Sequence, residues 1–128
     1  MTNIEIIREL YRTFKDKDYE AFRQLCDRDL IWIQNQGFPH GSTTHGANEV
    51  IDNVFKRFDS DWQSWSFEIE EYLDAGTSVI VVGLYQGVHR VSEKSFHSSA
   101  VHIYDLVRGK VTRFRQFADT KVIWDVIP

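Results

Sequence analysis

Residues 94–120, KSFHSSAVHIYDLVRGKVTRFRQFADT, contain the pattern that decides the fold. Two stretches rich in β-branched and aromatic residues, 94–107 and 110–118, flank the dipeptide Arg108-Gly109. Two such stretches joined by a two-residue turn that contains glycine are typical of a β-hairpin. This part of the chain therefore predicts an antiparallel sheet.

The residues before this hairpin extend the same pattern. Residues 78–89 form another long β-rich run, bounded by turn-type residues at 74–77 and 90–93. Residues 67–70, FEIE, alternate with a period of two, as in a strand with one buried face. We expect these strands to form an antiparallel meander, and we expect one earlier short strand over 30–34.

The first half of the chain predicts helices. Thr2 and Glu5 have the spacing of a capping box, and the apolar residues that follow recur at helical spacing up to Phe14. We therefore expect a first helix over 3–14. Asp18 has the residue type that begins a second helix.

Further helices are expected on both sides of the meander. The second helix is predicted over 19–26, and a third begins at Gly46 with an inner face that extends to Phe58. A short last helix is predicted over 120–126. Helices combined with an antiparallel meander indicate an α+β fold, here one domain over residues 1–128. A curved sheet wrapped around helices forms a cone, and the open end of a cone is a pocket.

Composition and charge exclude several classes of protein. The 128 residues carry a net charge of -4 from interspersed charges, which argues against nucleic-acid binding. The single Cys26 excludes an internal disulfide and a cysteine zinc site, and it favours a reducing compartment, so we expect a cytoplasmic location. The first residues are charged and amphipathic, unlike a secretory signal, and the longest apolar run, 79–84, is too short to span a bilayer.

Aromatic residues are unusually frequent. They form 14% of the chain, with four Trp, five Tyr and nine Phe. In a chain of this length these rings either pack into a dense core or line a cavity, and the sequence leaves both alternatives open.

Four segments carry a resemblance to a known family. They are Phe38-Pro39-His40-Gly41, Gly83-Leu84-Tyr85-Gln86-Gly87, His102-Ile103-Tyr104 and residues 109–120. On these segments the chain resembles a SnoaL-like, ketosteroid-isomerase-related protein of the nuclear transport factor 2-like superfamily. The resemblance implies a cone of helices against a strongly curved, mostly antiparallel sheet. It also implies a homodimer formed through the outer face of the sheet.

Steroid isomerase chemistry is not expected from this resemblance. Ketosteroid isomerases use a tyrosine on the first helix, a carboxylate base and a protonated aspartate. Alignment of the chain with that pattern places Leu10, Gln34 and Val101 at the three positions, with Tyr11 and His102 next to two of them. Because a glutamine amide does not titrate, Gln34 has no capacity to act as the base.

SnoaL-like cyclases, which the chain also resembles, are associated with a histidine and an aspartate as acid-base groups. His102 and Asp119 are the nearest matches, although Asp119 is also well placed to cap the last helix. An uninterrupted hairpin from the Val107–Lys110 pair places His102 opposite Arg115, on the outer face of the sheet together with Tyr104. A single β-bulge would reverse that assignment.

Eight side chains are predicted to contact a ligand in the cone. They are Tyr11, Trp32, Gln34, Phe55, Phe58, Trp62, Phe114 and Gln116. Trp62 and Trp65 are placed in a polar loop after the third helix, and Phe117 on the outer face of the sheet. No histidine pair has the helical i, i+4 spacing of a zinc site, and no nucleophile or phosphate-loop motif is present, so no metal or cofactor is expected.

Two functions follow from these features. The first is a pocket protein for a small apolar or polyketide-like molecule, with proton-transfer chemistry such as isomerisation, cyclisation or hydration. The second is a non-catalytic ligand-binding or dimeric interaction module on the same fold. A structural dimer with a filled cone is a third alternative.

Overall fold

Helix α1 begins where the sequence predicts a capping box. In the computed structural model, which describes Met1–Pro128, the helix covers Asn3–Asp16. The Thr2 hydroxyl accepts a hydrogen bond from the Glu5 N–H, and the Glu5 carboxylate accepts one from the Thr2 N–H, each at 3.1 Å. This reciprocal pair satisfies two backbone groups that have no partner inside the helix.

The other helices are shorter. Helix α2 covers Tyr19–Leu25, and the Asp18 carboxylate caps it by accepting from the Ala21 N–H at 3.2 Å. Helix α3 begins as the α-helix Ala47–Val50, widens to a π-helix over Ile51–Phe55, and continues as the α-helix Lys56–Asp61. Helix α4 covers Thr120–Trp124. No helix has the length and apolar character that crossing a membrane requires.

Six strands form one curved sheet. They are β1 Cys26–Gln34, β2 Thr43–His45, β3 Trp62–Ala75, β4 Ser78–His89, β5 Ser95–Val107 and β6 Lys110–Ala118. Their order in the sheet is β2-β1-β6-β5-β4-β3. The antiparallel meander of β3 to β6 is confirmed, and β1 joins it by parallel pairing with β6. The short β2, which the sequence did not predict, pairs with β1.

A β-bulge in the β5–β6 hairpin corrects the predicted faces of β5. Val107 pairs with Lys110 as predicted, but the register shifts because Thr112 is an extra residue on β6. Beyond the bulge, His102 lies opposite Gln116 rather than Arg115. Since one residue of shift exchanges the two faces of a strand, His102 points to the inner face of the sheet.

The consequences of the bulge are visible in the burial of both strands. Tyr104, expected on the outer face, is 0% exposed in the interior, whereas Val101, expected inside, is part-exposed on the outer face. The prediction that Phe114 and Gln116 face the interior is confirmed, since both are buried. Phe117 is 50% exposed, as expected for the outer face.

Two apolar clusters hold the helices on the sheet. The larger joins α1, α2 and α3 to the inner face and includes Leu10, Phe22 and Trp32. The smaller joins Phe38 and Trp62 to the end of the chain. Trp62 and Trp65 belong to β3, so their predicted placement in a loop was wrong. Apolar side chains at every second or third residue give this strand a continuous inner face. The functional site lies between these clusters.

Candidate functional site

A cavity of about 810 Å³ opens between α1, α3 and the inner face of the sheet. Rings form most of its wall, and those of Tyr11, Phe58 and Phe67 are part-exposed to it. A volume of this size is in the range that holds a small organic molecule. The aromatic load of the sequence therefore supplies both a core and a cavity wall.

All eight side chains predicted to contact a ligand line this cavity. They are Tyr11, Trp32, Gln34, Phe55, Phe58, Trp62, Phe114 and Gln116. Trp32 and Phe114 stack at 3.8 Å between ring centroids, and both are almost closed to solvent. The structure brings the predicted residues together, and their contact with a ligand stays a prediction.

His102 lies at the floor of the cavity, between two tyrosine hydroxyls. The Tyr11 hydroxyl lies 2.7 Å from Nδ1, and the Tyr85 hydroxyl lies 2.5 Å from Nε2. The imidazole also stacks on the Phe67 ring, with centroids 4.2 Å apart. Both nitrogen atoms and one face of the ring are thereby fixed, so that the imidazole has a single orientation.

The floor of the cavity is uncharged. Burial lowers the pKa of His102 to about 3, so that the imidazole is neutral at pH 7. Burial also raises the pKa values of Tyr11, Tyr85 and Tyr104 above their ordinary value, which keeps these hydroxyls protonated. The floor therefore offers hydrogen bonds to a ligand but no formal charge.

The mouth of the cavity carries the charges. Lys15, Lys17 and Asp59 line it, and the Lys17 ammonium lies 3.1 Å from the Asp59 carboxylate. This ion pair links the turn that follows α1 with helix α3. Asp59 is the only carboxylate in the lining of the cavity, and it lies at the rim rather than beside His102. The site thus contains no carboxylate base at its floor.

Asp119 does not take part in the site. Its backbone occupies the N-cap position of α4, its side chain is exposed, and the residue is absent from the lining of the cavity. The prediction that Asp119 is an acid-base group for a ligand in this cavity therefore has no support from its position. The reason is the alternation of β6: Gln116 and Ala118 point inward, whereas Asp119 follows the end of the strand at an outward position.

Tyr85 was not among the predicted site residues, although the pattern of β4 indicates its inward position. Val79, Val81 and Tyr85 lie at odd positions of this strand and are all buried, so a period-two count from Val79 places the tyrosine inside. The contact of Tyr85 with His102 depends on the β-bulge at Thr112, so the sequence pattern does not predict it.

No group of three or more His, Cys, Asp or Glu side chains has a metal-binding arrangement.

Comparisons with known proteins agree with this fold. Residues 7–114 match the sequence model of a family described as SnoaL-like domain. An NTF2-like protein from Burkholderia thailandensis E264 has a similar structure with a TM-score of 0.95 and 30% identity, over 100% of this chain and 98% of that one. No curated protein matches the chain.

Two more distant structures share the fold. TerC, which was co-crystallised with polyporic acid, has a TM-score of 0.86 and 23% identity over 97% of this chain and 96% of its own. A proposed SnoaL-like polyketide cyclase from Shewanella putrefaciens CN-32 has a TM-score of 0.81 and 18% identity over 98% of this chain and 96% of its own. At these identities the likeness shows the fold, while function depends on the residues of the site.

Proposed function

The chain belongs to the SnoaL-like domain family, and we propose on that basis that its cavity binds a planar, apolar carbonyl compound of polyketide type. The observation that carries this proposal is the aromatic cavity of about 810 Å³ with the uncharged Tyr11–His102–Tyr85 group at its floor. Flat ring walls suit a flat ligand, and the floor supplies the few polar contacts that orient one.

The chemistry we propose is proton transfer next to a carbonyl group, as in isomerisation, cyclisation or hydration. The Tyr11 hydroxyl would hold the carbonyl oxygen, and its hydrogen bond would strengthen as negative charge develops on that oxygen. His102 would position Tyr11 rather than take up the proton itself, since both of its nitrogen atoms are already bonded to tyrosine hydroxyls. The proton lost by the carbon would pass to water that enters through the mouth of the cavity. Gln34 and Gln116 lie close enough to the cavity to orient the ligand.

A specific observation favours the alternative of a non-catalytic binding module. General bases are most effective when their pKa lies near the working pH. The pKa of His102 is about 3, and the only carboxylate lining the cavity lies at the mouth. A carbon acid would need to be unusually acidic to lose a proton in such a site.

Ligand binding is tested by calorimetry and thermal unfolding with planar 1,3-diketones and hydroxyquinones, polyporic acid among them. A ligand at 100 times its Kd stabilises the native state by about 2.7 kcal/mol. Tyr11→Phe is expected to weaken binding roughly tenfold, the effect of one lost hydrogen bond. Tyr72→Phe is the matched control, because Tyr72 touches the Tyr11 ring but does not line the cavity. If none of these compounds binds, the proposal fails.

Catalysis is separated from binding by following deuterium exchange at the carbon between the two carbonyl groups. The enzyme hypothesis expects the protein to accelerate exchange and His102→Gln to abolish the acceleration while the ligand still binds. Binding without any acceleration in the wild-type protein would favour the binding module.

The proposed homodimer uses the outer face of the sheet. Phe117 is 50% exposed there, and the Nε atom of Arg115 on the same face is buried without a hydrogen-bond partner. Both features suit an interface with a second copy. Light scattering should give twice the chain mass, and Phe117→Asp should give the monomer, whereas Val91→Asp in the exposed β4–β5 turn should not.

A cytoplasmic location is also part of this proposal. It rests on the single buried Cys26, which is typical of proteins in reducing compartments. Cell fractionation with an antibody against the chain tests it.

A further inference from the structure

Four side chains at the cavity floor form one continuous chain of hydrogen bonds. The Gln116 amide Nε2 lies 2.8 Å from the Tyr85 hydroxyl, which lies 2.5 Å from His102 Nε2. His102 Nδ1 lies 2.7 Å from the Tyr11 hydroxyl. Each of these three contacts needs one donor and one acceptor, and the Tyr85 hydroxyl has no protein partner besides Gln116 and His102, so a choice at Gln116 fixes the direction of the other contacts.

The direction follows from the number of protons available. An amide nitrogen only donates, so Gln116 donates to the Tyr85 oxygen. The single Tyr85 proton is then directed to His102 Nε2. A neutral imidazole carries one proton, which must therefore lie on Nδ1, from where it is donated to the Tyr11 oxygen.

The orientation of the Gln116 amide decides this direction. As it stands, Nε2 donates to the Tyr85 hydroxyl, and the Oε1 atom is buried without a hydrogen-bond partner. In the reverse orientation Oε1 would accept from the Tyr85 hydroxyl, and His102 would carry its proton on Nε2 instead.

We propose that Gln116 sets the direction of this chain, fixes His102 as the Nδ1–H tautomer, and so makes Tyr11 a hydrogen-bond donor toward the cavity. Within the protein the Tyr11 hydroxyl bonds to His102, and the neighbouring Tyr104 hydroxyl is buried without a hydrogen bond, so a ligand oxygen would compete with Tyr104 for the Tyr11 proton. The ligand that suits this group presents an acceptor oxygen, such as a ketone or an enolate, rather than an amine. The assignment of an acceptor oxygen to the ligand rests on the proposed function, whereas the assignment of the His102 tautomer does not.

The tautomer is measured on the ligand-free protein. Nitrogen-15 spectra of histidine-labelled protein at pH 7 distinguish a protonated Nδ1 from a protonated Nε2. We expect His102 to carry its proton on Nδ1. A proton on Nε2 would overturn the proposal.

Substitution of Gln116 tests whether this residue determines the tautomer of His102. In Gln116→Glu at pH 9, where the introduced carboxylate is ionised, the side chain only accepts, so Tyr85 must donate to it and His102 should change to the Nε2–H tautomer. Gln34→Glu is the matched control, because Gln34 also lines the cavity but does not bond to Tyr85. An unchanged tautomer in Gln116→Glu would contradict the proposal. If that variant does not fold, Gln116→Met should still lower the fraction of the Nδ1–H form.

The preference for an acceptor oxygen is tested with two planar, neutral, three-ring ligands: 9-fluorenone, which presents a carbonyl oxygen, and carbazole, an aromatic amine that presents only an N–H donor. We expect the ketone to bind at least tenfold more tightly to the wild-type protein. Equal or tighter binding of the amine would overturn the ligand assignment. If neither compound binds, the proposed function is weakened, while the tautomer result stands by itself.

Discussion

Burial of His102 among aromatic rings makes the stability of the fold depend on pH. An unfolded histidine binds a proton near pH 6.5, whereas burial lowers the pKa of the folded residue to about 3. Between these two values the unfolded chain therefore binds one proton more than the folded chain does. The contribution of the neutral imidazole is complete above pH 6.5 and is lost as the pH falls toward 3.

The first prediction is a loss of stability on acidification that depends on His102. The free energy of unfolding should fall by up to about 1.4 kcal/mol per pH unit in this window because of this one residue. Denaturant unfolding of the wild-type protein and of His102→Gln, at intervals from pH 7 to pH 4, measures the difference in slope. His97→Gln, at an exposed position of the same strand, is the control. Equal slopes for wild type and His102→Gln would contradict the prediction.

At the scale of elements, the bulge at Thr112 decides which side chains reach the cavity. With it, His102 and Tyr104 face inward beside Phe114. If Thr112 instead paired with Asp105, as in the uninterrupted register from the Val107–Lys110 pair, His102 and Tyr104 would lie on the face opposite to Phe114. The unpaired state of Thr112 thus determines whether the floor of the cavity contains an imidazole.

The second prediction concerns deletion of Thr112. Because Thr112 is the extra residue, its deletion leaves Leu106 opposite Val111 and Asp105 opposite Arg113 in a regular ladder, so that the residues after it keep their faces. We expect the deletion variant to keep its cooperative thermal unfolding and its near-ultraviolet circular dichroism signal. Thr112→Ala keeps the bulge and removes the 3.1 Å hydrogen bond to the Asp105 carbonyl, which should lower the free energy of unfolding by about 1 kcal/mol. Loss of the cooperative transition in the deletion variant would contradict the prediction.

The sequence was most informative where side-chain pattern and local chemistry determine an element. The predicted capping box at Thr2 is present, and the predicted spans 78–89 and 110–118 match β4 and β6. The bulge was not predictable in position, because Thr112 is as compatible with a regular strand as with a bulge. The contacts of His102 with Tyr11 and Tyr85 span 91 and 17 residues and depend on that register.

Asp119 shows the limit of inference from a resemblance. The residue type and its place after the last strand suit an acid-base group, yet its side chain is exposed outside the cavity. The resemblance conveys the order of elements, whereas the direction of a side chain depends on strand length and register. The family fold was therefore predictable, and the pairing of functional groups was not.

At the scale of the whole molecule, the cavity lies where two apolar clusters meet. Phe58 packs against both clusters, with its ring stacked on Trp65 at 4.5 Å between centroids and edge-on to Phe38 at 6.1 Å. The same residue lines the cavity. The wall that faces a ligand is thus also the contact that joins the two halves of the core.

The third prediction is that Phe58→Ala lowers global stability and loosens the smaller cluster more than the larger one. The loss should be about 3 kcal/mol, the lower end for removal of a phenyl ring, because Phe58 is only partly buried. Hydrogen exchange should increase most in segments that contain Phe38, Trp62 and Ile123, since the larger cluster keeps the contacts of α1 and α2 with the sheet. Val91→Ala, at a residue 74% exposed, should change neither quantity. Equal acceleration in both clusters would mean that the core unfolds as one unit and that Phe58 does not join two separable parts.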